Sequence, residues 1–380
     1  MKFLVLGGGA QGSACAFDLV RRDGVTSVVL ADLDVSKPRP FLEPHLGGAL
    51  KTLALDARDE AAVREAMAGV DAVACALPYY FNLAMTRVAI ESGAHFCDLG
   101  GNTEIVDQQK ELDESARAAG TSAVPDCGLA PGMVNILAQG GIAEMDETES
   151  VQIFVGGLPQ KPKPPLNYQI VYSMEGVLDY YTTSVLVLEK GEVVEKDALT
   201  DLETVTFEGI GELEAFLTAG GLSRMPYRYA GQIRSMAYKT LRYPGHAALM
   251  KSMRDLGLMA LEPIDVGGSS VVPRDVFIEV LTPKLYNPAG DDLVAMRVIV
   301  AGTRGGEPHR VTYEMVDRYD AEHGITAMMR TTGYSLAVTA YLQASGVLPP
   351  GVQTSSECIP VDRYITELAG RGIVIERTDS

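Results

Sequence analysis

The chain has 380 residues, of which 47% are hydrophobic and 22% are charged, and its formal net charge is −18. This length predicts two or three domains of roughly 150 residues each, and the composition is that of an ordinary globular protein. The negative charge argues against nucleic-acid binding, which needs a basic surface, and against binding to an anionic membrane.

The chain shows no targeting or metal-binding pattern. It begins without the basic region and cleavage site of a signal peptide, and no stretch reaches the roughly 18 apolar residues of a membrane span. Its five cysteines lack paired spacing, and its five histidines lack metal-site spacing. We therefore expect a cytoplasmic protein without a disulfide framework, a metal or a membrane partner.

Strands and helices alternate six times in the first third of the chain. The apolar runs and helical periodicity predict these elements in order: strand 2–6, helix 11–22, strand 27–34, strand 50–55, helix 60–68, strand 71–78, helix 82–92, strand 94–101, helix 107–120 and strand 122–128. This order is typical of an α/β fold with a Rossmann-type parallel sheet covered on both faces.

The pattern changes near Pro131. A strand at 150–158 precedes the proline-rich link 159–166, and the pieces VFIEVL (276–281) and LVAMRVIVAG (293–302) suggest a mixed or antiparallel sheet, as in an α+β domain. Helices are predicted at 331–343 and 361–369. We place a dinucleotide-binding domain at 1–127 and an α+β substrate and dimerisation domain at 128–329.

The first strand and helix are joined by a G-x-G-x-x-G motif formed by Gly7, Gly9 and Gly12. In this context the first glycine permits a sharp turn, the second admits a pyrophosphate, and the third allows close packing of helix and strand. Ala10 and Gln11 begin the helix, whose free N–H groups favour an anion. The motif predicts a dinucleotide site, and a glycine turn without ligand is the alternative.

Asp32 ends the second strand about 20 residues after the motif. A carboxylate there accepts hydrogen bonds from the ribose hydroxyls and repels a 2′-phosphate, which favours NAD over NADP. Ligands of open α/β sheets bind at the carboxyl ends of the strands. Further cofactor contacts are therefore expected at strand ends, unless these are plain loops: Asp56, Ala57, Ala76, Leu77, Pro78, Leu99 and Gly100.

Four further segments, in a fixed order, resemble the saccharopine dehydrogenase family. They are ALPYYFN, CDLGG, PDCGLAPGM and YKTLRYPGH. Within that family, PYYFN, DLGGN, VGGLPQKPKPPLNY and YSMEGVLDYYT are most similar to lysine 6-dehydrogenases. The resemblance covers nearly the whole chain and implies a dinucleotide domain joined to an α+β substrate domain, with the C-terminal segment 330–380 returning to the first domain.

The resemblance also implies a reaction. Hydride passes from a carbon that bears nitrogen to NAD, and water hydrolyses the resulting imine. For L-lysine this is oxidative deamination of the side-chain amine, giving a semialdehyde that closes to a cyclic imine. The alternatives are saccharopine or carboxynorspermidine as substrate, for which Arg224, Arg228 and Arg234 offer further cations, and a dinucleotide-binding sensor without turnover.

Arg242 matches the arginine of the family's T-L-R-Y segment and is the candidate for the substrate carboxylate. A guanidinium binds a carboxylate through two parallel hydrogen bonds, and a structural ion pair is the alternative. Thr240 shares its face in an extended segment and can add a hydrogen bond.

Four residues are candidates for proton transfer, in an order that the sequence leaves open. Asp98 and Asp126 end neighbouring strands, and two close carboxylates raise one pKa. Lys239 is a candidate base, and His246 has an ordinary pKa near neutrality. Each has a structural alternative, as a loop cap, a solvated lysine or a helix-start residue.

Three residues after the fourth strand are candidates for substrate contact. Tyr79 and Tyr80 can wall the nicotinamide pocket or belong to the core, and Asn82 can donate to a substrate oxygen or cap the next helix. The resemblance implies a homodimer or higher homo-oligomer, with the apolar strand LVAMRVIV near the interface.

Overall fold

The computed structural model describes residues 1–171, 173–287 and 290–380. Tyr172, which begins the segment YSMEGVLDYYT, lies outside the described residues. The chain divides into two compact units. The first comprises Met1–Glu144, Asp320–Ile325 and Met329–Ile375, and the second comprises Met145–Tyr319, Thr326–Met328 and Glu376–Ser380.

Short strands and helices alternate up to residue 144. They are β1 (Lys2–Leu6), α1 (Ala10–Val20), β2 (Ser27–Asp32), β3 (Leu50–Ala54), α2 (Glu60–Met67), β4 (Ala72–Cys75), α3 (Asn82–Glu91), β5 (His95–Asp98), α4 (Thr103–Lys110), α5 (Asp113–Ala119), β6 (Ser122–Val124) and α6 (Met133–Ala143). Two 3-10 helices, Pro40–His45 and Tyr79–Phe81, lie in the connections.

Longer strands dominate residues 145–319. The elements are β7 (Glu147–Pro159), α7 (Met174–Thr182), β8 (Val185–Glu189), β9 (Glu192–Lys196), β10 (Glu203–Phe207), β11 (Gly211–Leu217), α8 (Met225–Tyr229), β12 (Ser235–Arg242), α9 (His246–Asp255), β13 (Ile264–Val266), β14 (Ser269–Val271), α10 (Pro273–Leu285), β15 (Asp292–Arg304) and β16 (Glu307–Arg318).

The C-terminal segment adds helices and two strands. They are α11 (Ala327–Ala344), β17 (Gly351–Val352), α12 (Ser355–Cys358), α13 (Val361–Ala369) and β18 (Glu376–Asp379). In the described part of the chain, no helix combines the length and the apolar character needed to cross a membrane.

The first unit is built on a parallel sheet of seven strands in the order β17-β6-β5-β4-β1-β2-β3. The central strands β1 and β4 are almost wholly buried, as expected for strands that are covered on both faces. The segment β17 pairs with β6, so residues from the C-terminal part of the chain complete this sheet. The predicted Rossmann-type sheet is confirmed.

The second unit contains a mixed sheet whose path runs β10-β11-β12-β7-β15-β16-β18, with β8 paired to β12 and β9 paired to β8. The pair β7–β12 is parallel, and the other neighbours along this path are antiparallel. The predicted α+β domain is confirmed. The strand LVAMRVIV forms part of β15, which lies between β7 and β16 within the sheet.

Two predicted elements differ in the structure. The helix expected at 107–120 is divided into α4 and α5, because Asp113 Oδ1 accepts the N–H of Val352 at 2.8 Å and directs α5 towards β17. The segment VFIEVL is not a strand. It lies in α10, where Phe277, Ile278 and Leu281 face an apolar cluster at helical spacing and Pro273 begins the helix.

The boundary between the units also differs from the position expected from sequence. We placed it between residues 127 and 128, whereas the compact unit extends through α6 to Glu144. Helix α6 is almost wholly buried, and a Cβ on its Gly140 would lie 2.8 Å from the side chain of Val361 at the start of α13. Close packing against the C-terminal helices therefore holds α6 in the first unit.

Candidate functional site

The glycine motif forms a tight turn with one open position. Gly7 has a φ of +96°, and a Cβ there would lie 2.9 Å from the carbonyl oxygen of Ala76. A Cβ on Gly12 would lie 1.8 Å from the carbonyl oxygen of Gly7, whereas a Cβ on Gly9 would meet no atom within 4 Å. Two glycines thus serve packing, and the third leaves space where a ligand can approach the backbone.

The N-terminus of α1 is suited to a dinucleotide phosphate. Gly9 is the N-cap and carries no side chain to accept the first N–H groups of the helix, which begins with Ala10 and Gln11. The Oε1 atom of Gln11 is buried and meets no hydrogen-bond partner among the described residues. The open position at Gly9 and this unsatisfied amide fit a bound nicotinamide dinucleotide.

Asp32 lies at the end of β2, beside the glycine turn. Its Oδ2 accepts the N–H of Gly8 at 2.6 Å, and its Oδ1 accepts the N–H of Asp34 at 3.2 Å. These bonds hold a carboxylate next to the motif, which is the position expected for a group that recognises the adenosine ribose.

The next strand ends are placed as expected for the same sheet edge. Ala76 donates its N–H to Leu6 at 2.8 Å and is followed by partly buried Leu77 and Pro78. Asp56, with Ala57 beside it, is bound to the Arg58 guanidinium, with 2.6 Å between Oδ2 and Nη2. Hydrogen bonds from Arg58 lower the pKa of Asp56 to about 2.

Asp98 is completely buried at the end of β5. Its carboxylate accepts hydrogen bonds from Gln109 Nε2 and from the N–H of Gly100, both at 2.7 Å, and from the N–H of Asp126. Burial raises its pKa to about 6 even though these bonds act in the opposite direction. The contacts favour a role in positioning the loops after β5 and β6.

Asp126 lies beside Asp98, as the strand order predicts. It has a positive φ of 61°, and its Oδ1 packs so closely on Gly100 that a Cβ there would lie 1.8 Å away. Gly100, preceded by Leu99, has a φ of +69° and is therefore required on two grounds. The structure thus brings Asp98, Gly100 and Asp126 together at one end of the sheet.

The raised pKa of Asp98 predicts how stability depends on pH. Its pKa in the folded state is about 6 and its reference value is 3.8, so the folded state holds the proton more tightly. Stability from this group is fully present below about pH 4 and is lost as the pH rises through about 6, by about 3 kcal/mol in total. Urea unfolding of wild type and Asp98→Asn at pH 4.5, 6 and 7.5 measures this difference, and parallel curves would contradict it.

The three candidates after β4 occupy different environments. Tyr79 and Tyr80 are 42% and 63% exposed, and their ring centroids lie 5.9 Å apart. Asn82 is buried, and its Oδ1 accepts the Sγ–H of Cys75 at 3.6 Å. The tyrosines are therefore accessible to a ligand, whereas the Asn82 side chain faces the interior of the first unit.

In the second unit, β12 presents Thr240 and Arg242 on one face. Arg242 is 3% exposed, and its guanidinium lies over the Tyr168 ring, 4.8 Å from the centroid. Its Nε donates to Tyr181 Oη at 3.2 Å and its Nη1 to the carbonyl of Leu241 at 2.9 Å. The hydroxyl groups of Thr240 and Thr218 on β11 lie 2.7 Å apart.

His246, the first residue of α9, contacts the other side of Tyr181. Its Nε2 lies 3.0 Å from Tyr181 Oη, and its Nδ1 lies 3.0 Å from the carbonyl oxygen of Leu166. Burial and the positive charge of Arg242 lower the pKa of His246 to about 3. A neutral imidazole with both nitrogens occupied favours a positioning role over proton transfer.

Glu214 secures the start of α9 from β11. Its carboxylate accepts the N–H of Gly245 at 2.9 Å and the N–H of Ala247 at 2.5 Å. These bonds satisfy amide groups that the helix itself leaves free and place a negative charge at its positive end.

Lys239 lies on the opposite face of β12 from Thr240 and Arg242, as the alternation of a strand requires. Its Nζ donates to Glu203 Oε1 at 2.6 Å and to the carbonyl of Asp201 at 2.5 Å. Within the second unit these contacts make Lys239 part of an ion pair and separate it from the Arg242 cluster.

Sequence reasoning missed Tyr168, Tyr181 and Glu214. They lie up to 74 positions before Arg242 in the chain, and local spacing cannot relate them to it. The only signal was that Tyr168 and Tyr181 fall in segments that resemble the family.

Comparison with protein families identifies both parts of the chain. The family model "Saccharopine dehydrogenase NADP binding domain" matches residues 3–124. The model "Saccharopine dehydrogenase C-terminal domain" matches residues 128–373.

Individual relatives are distant. Saccharopine dehydrogenase [NADP(+), L-glutamate-forming] of Schizosaccharomyces pombe is 28% identical over 265 residues, which cover 67% of this chain and 58% of that protein. The enzyme of the same name from Pyricularia oryzae is 26% identical over 219 residues, which cover 55% of this chain and 48% of that protein. The chain thus spans about half the length of these curated relatives.

Solved structures share the fold. Apo saccharopine dehydrogenase (L-Glu forming) from Saccharomyces cerevisiae superposes with a TM-score of 0.81 at 19% identity, covering 100% of this chain and 99% of the other. A homospermidine synthase from Legionella pneumophila in complex with NAD gives a TM-score of 0.69 at 11% identity. The superposition covers 100% of this chain and 91% of the other.

Proposed function

The chain belongs to the saccharopine dehydrogenase family, and we propose that it oxidises the side-chain amine of L-lysine with NAD as cofactor. The observation that carries this proposal is the placement of Arg242. It is a buried guanidinium on a polar, tyrosine-lined face, and its planar edge is suited to one carboxylate. The reaction also needs a dinucleotide site, and the open glycine turn at Gly9 is suited to one.

The proposed reaction balances with one water. The protonated amine R–CH2–NH3⁺, NAD⁺ and water give R–CHO, NH4⁺, NADH and a proton. The C–H bond breaks with its electron pair as hydride, the C–N bond becomes an imine, and water then cleaves that imine. The bound nicotinamide would accept the hydride.

The residues of this chain would bind the substrate and move its proton. Arg242 and Thr240 hold the carboxylate, and the amine must lose a proton before hydride leaves. Of the four candidates for proton transfer, His246 is fixed by two hydrogen bonds and Lys239 is paired with Glu203, which favours positioning and structural roles for these two.

L-lysine carries one carboxylate, whereas saccharopine carries three and would need further cations. One buried guanidinium therefore favours L-lysine. Among the described residues of the second unit, the buried arginines are Arg242 and Arg274, and Arg274 is bound to Asp179 at 2.5 Å and to Thr182 at 2.9 Å. Arg228 is exposed over Tyr229, and Arg234, also exposed, lies 3.7 Å from Glu149.

Saccharopine is the second candidate substrate. The curated relatives carry it in their names, and Arg224, which contacts the Tyr227 ring at 5.7 Å, is only partly exposed. A larger polyamine-type substrate such as carboxynorspermidine would use the same carboxylate site.

The test is NADH formation at 340 nm with NAD⁺ and L-lysine, with saccharopine and NADP⁺ assayed in parallel. We expect lysine-dependent NADH. A signal with saccharopine alone would overturn the lysine assignment and keep the reaction class. Dinucleotide binding without turnover on any amine would instead favour a non-catalytic sensor.

Asp32 should set the choice of cofactor. A 2′-phosphate beside its carboxylate is repelled, so we expect kcat/KM to be about 10- to 100-fold higher with NAD⁺ than with NADP⁺. Asp32→Ser should reduce this ratio by improving the use of NADP⁺. Asp34→Ser, which removes an exposed acid two residues later, is the matched control, and an unchanged ratio in Asp32→Ser would refute the assignment.

A further inference from the structure

Four groups form a directional chain of hydrogen bonds behind Arg242. The carbonyl of Leu166 can only accept, so His246 Nδ1, 3.0 Å away, carries the ring proton. His246 Nε2 is then an acceptor and receives the Tyr181 hydroxyl proton at 3.0 Å. The Tyr181 oxygen in turn accepts Arg242 Nε–H at 3.2 Å. The Leu166 carbonyl thus fixes the direction of both His246 bonds, and the Arg242 Nε–H can only donate.

The same histidine also connects to the aromatic wall. Leu166 is two residues before Tyr168, whose ring lies under the Arg242 guanidinium and makes an edge contact with His246 at 5.4 Å. Phe216 of β11 stacks on the imidazole at 6.5 Å and an interplanar angle of 11°. The imidazole is therefore held by rings on two sides and by hydrogen bonds at both nitrogens.

The Tyr168 hydroxyl belongs to the ring that contacts the Arg242 guanidinium. Tyr168 is 5% exposed, and its Oη lies within reach of the backbone N–H of Val171. The phenol oxygen can also donate its own proton to an acceptor on a bound ligand. Its place on the ring that faces the guanidinium makes a carboxylate oxygen the natural partner.

We propose that His246 is a positioning residue that builds the carboxylate site: it orients Arg242 through Tyr181, and it holds Tyr168 against the guanidinium through Leu166. This inference rests on the proposed function, in which Arg242 binds the substrate carboxylate. It adds Tyr181, His246 and the Tyr168 hydroxyl to that site and removes His246 from the chemistry of proton transfer.

Two substitutions of His246 separate its two contacts. The amide nitrogen of His246→Asn replaces Nδ1 and keeps the bond to Leu166, but the side chain is too short to reach Tyr181. The amide oxygen of His246→Gln replaces Nε2 and keeps the bond to Tyr181. Tyr181→Phe removes the hydroxyl that links His246 to Arg242.

We expect Tyr181→Phe and His246→Asn each to raise KM for L-lysine about 5- to 20-fold, which corresponds to about 1 to 2 kcal/mol and is close to the net contribution of one hydrogen bond. Saturated kcat should change little. His246→Gln should restore most of the affinity, and the double variant Tyr181→Phe/His246→Asn should be no worse than either single variant. The KM for 1,5-diaminopentane, which has no carboxylate, should stay constant throughout.

A purely structural role would lower the melting temperature and leave KM for L-lysine unchanged, which would overturn the proposal. Equal losses in His246→Asn and His246→Gln would overturn the specific path through Tyr181.

Binding of L-norleucine by calorimetry gives a readout without turnover. If wild type binds L-norleucine and Tyr181→Phe weakens it, the site stands even when L-lysine is not oxidised, and only the proposed reaction fails. If wild type does not bind it, the carboxylate site is wrong. Nitrogen NMR should show His246 with Nδ1 protonated and Nε2 bare near neutral pH, and the reverse would refute the hydrogen-bond chain.

Discussion

Gly9→Ala should weaken dinucleotide binding and leave the fold intact, whereas Gly12→Ala should destabilise the first unit. A Cβ on Gly9 meets no atom within 4 Å, and the backbone there has a φ of −64°, which alanine adopts freely. A Cβ on Gly12 would lie 1.8 Å from the Gly7 carbonyl oxygen, so β1 and α1 would have to move apart.

Gly9→Ala should affect mainly the affinity for NADH, whereas Gly12→Ala should affect mainly the stability to urea. For Gly9→Ala we expect the Kd for NADH, from fluorescence titration, to rise at least about 10-fold, because the methyl group fills the space that the pyrophosphate approaches. Its stability to urea should stay within about 0.5 kcal/mol. Gly12→Ala should lose about 3 kcal/mol from overpacking. Unchanged NADH affinity in Gly9→Ala would remove the cofactor site from this turn.

The elements of the first unit were predictable because their apolar runs and short connections are local features. The break between α4 and α5 was not, because it depends on Asp113 binding the N–H of Val352, 239 positions away in the chain. VFIEVL was read as a strand because its apolar residues also fit alternation, whereas burial of Phe277, Ile278 and Leu281 on one side shows the helical period.

The site was predictable only where residue type and position within a strand suffice. Alternation along β12 places Thr240 and Arg242 on one face and Lys239 on the other, so Lys239 is separated from them by the same pattern that pairs them. The proposed role of His246 could not be predicted from the sequence, because it depends on the carbonyl of Leu166 and the hydroxyl of Tyr181, which are both distant along the chain.

Arg242→Lys should raise KM for L-lysine about 10- to 100-fold, with a smaller effect on kcat. Lysine keeps the positive charge but loses the Nε–H that Tyr181 receives, the planar contact with Tyr168, and the paired donors that match a carboxylate. The loss of hydrogen bonds to a charged group accounts for that range. Steady-state kinetics with L-lysine, or with saccharopine if that is the substrate, measure it.

Arg297→Lys is the matched control, because Arg297 also lies over an aromatic ring, 4.3 Å from the centroid of Phe207, and binds Glu314 at 2.5 Å within the chain. It should leave KM unchanged. With 1,5-diaminopentane, wild type and Arg242→Lys should differ little, because the substrate offers nothing for the guanidinium to bind. An equal loss with both substrates would mean that Arg242 supports the fold of the second unit, and an unchanged KM for L-lysine would mean that the carboxylate binds elsewhere.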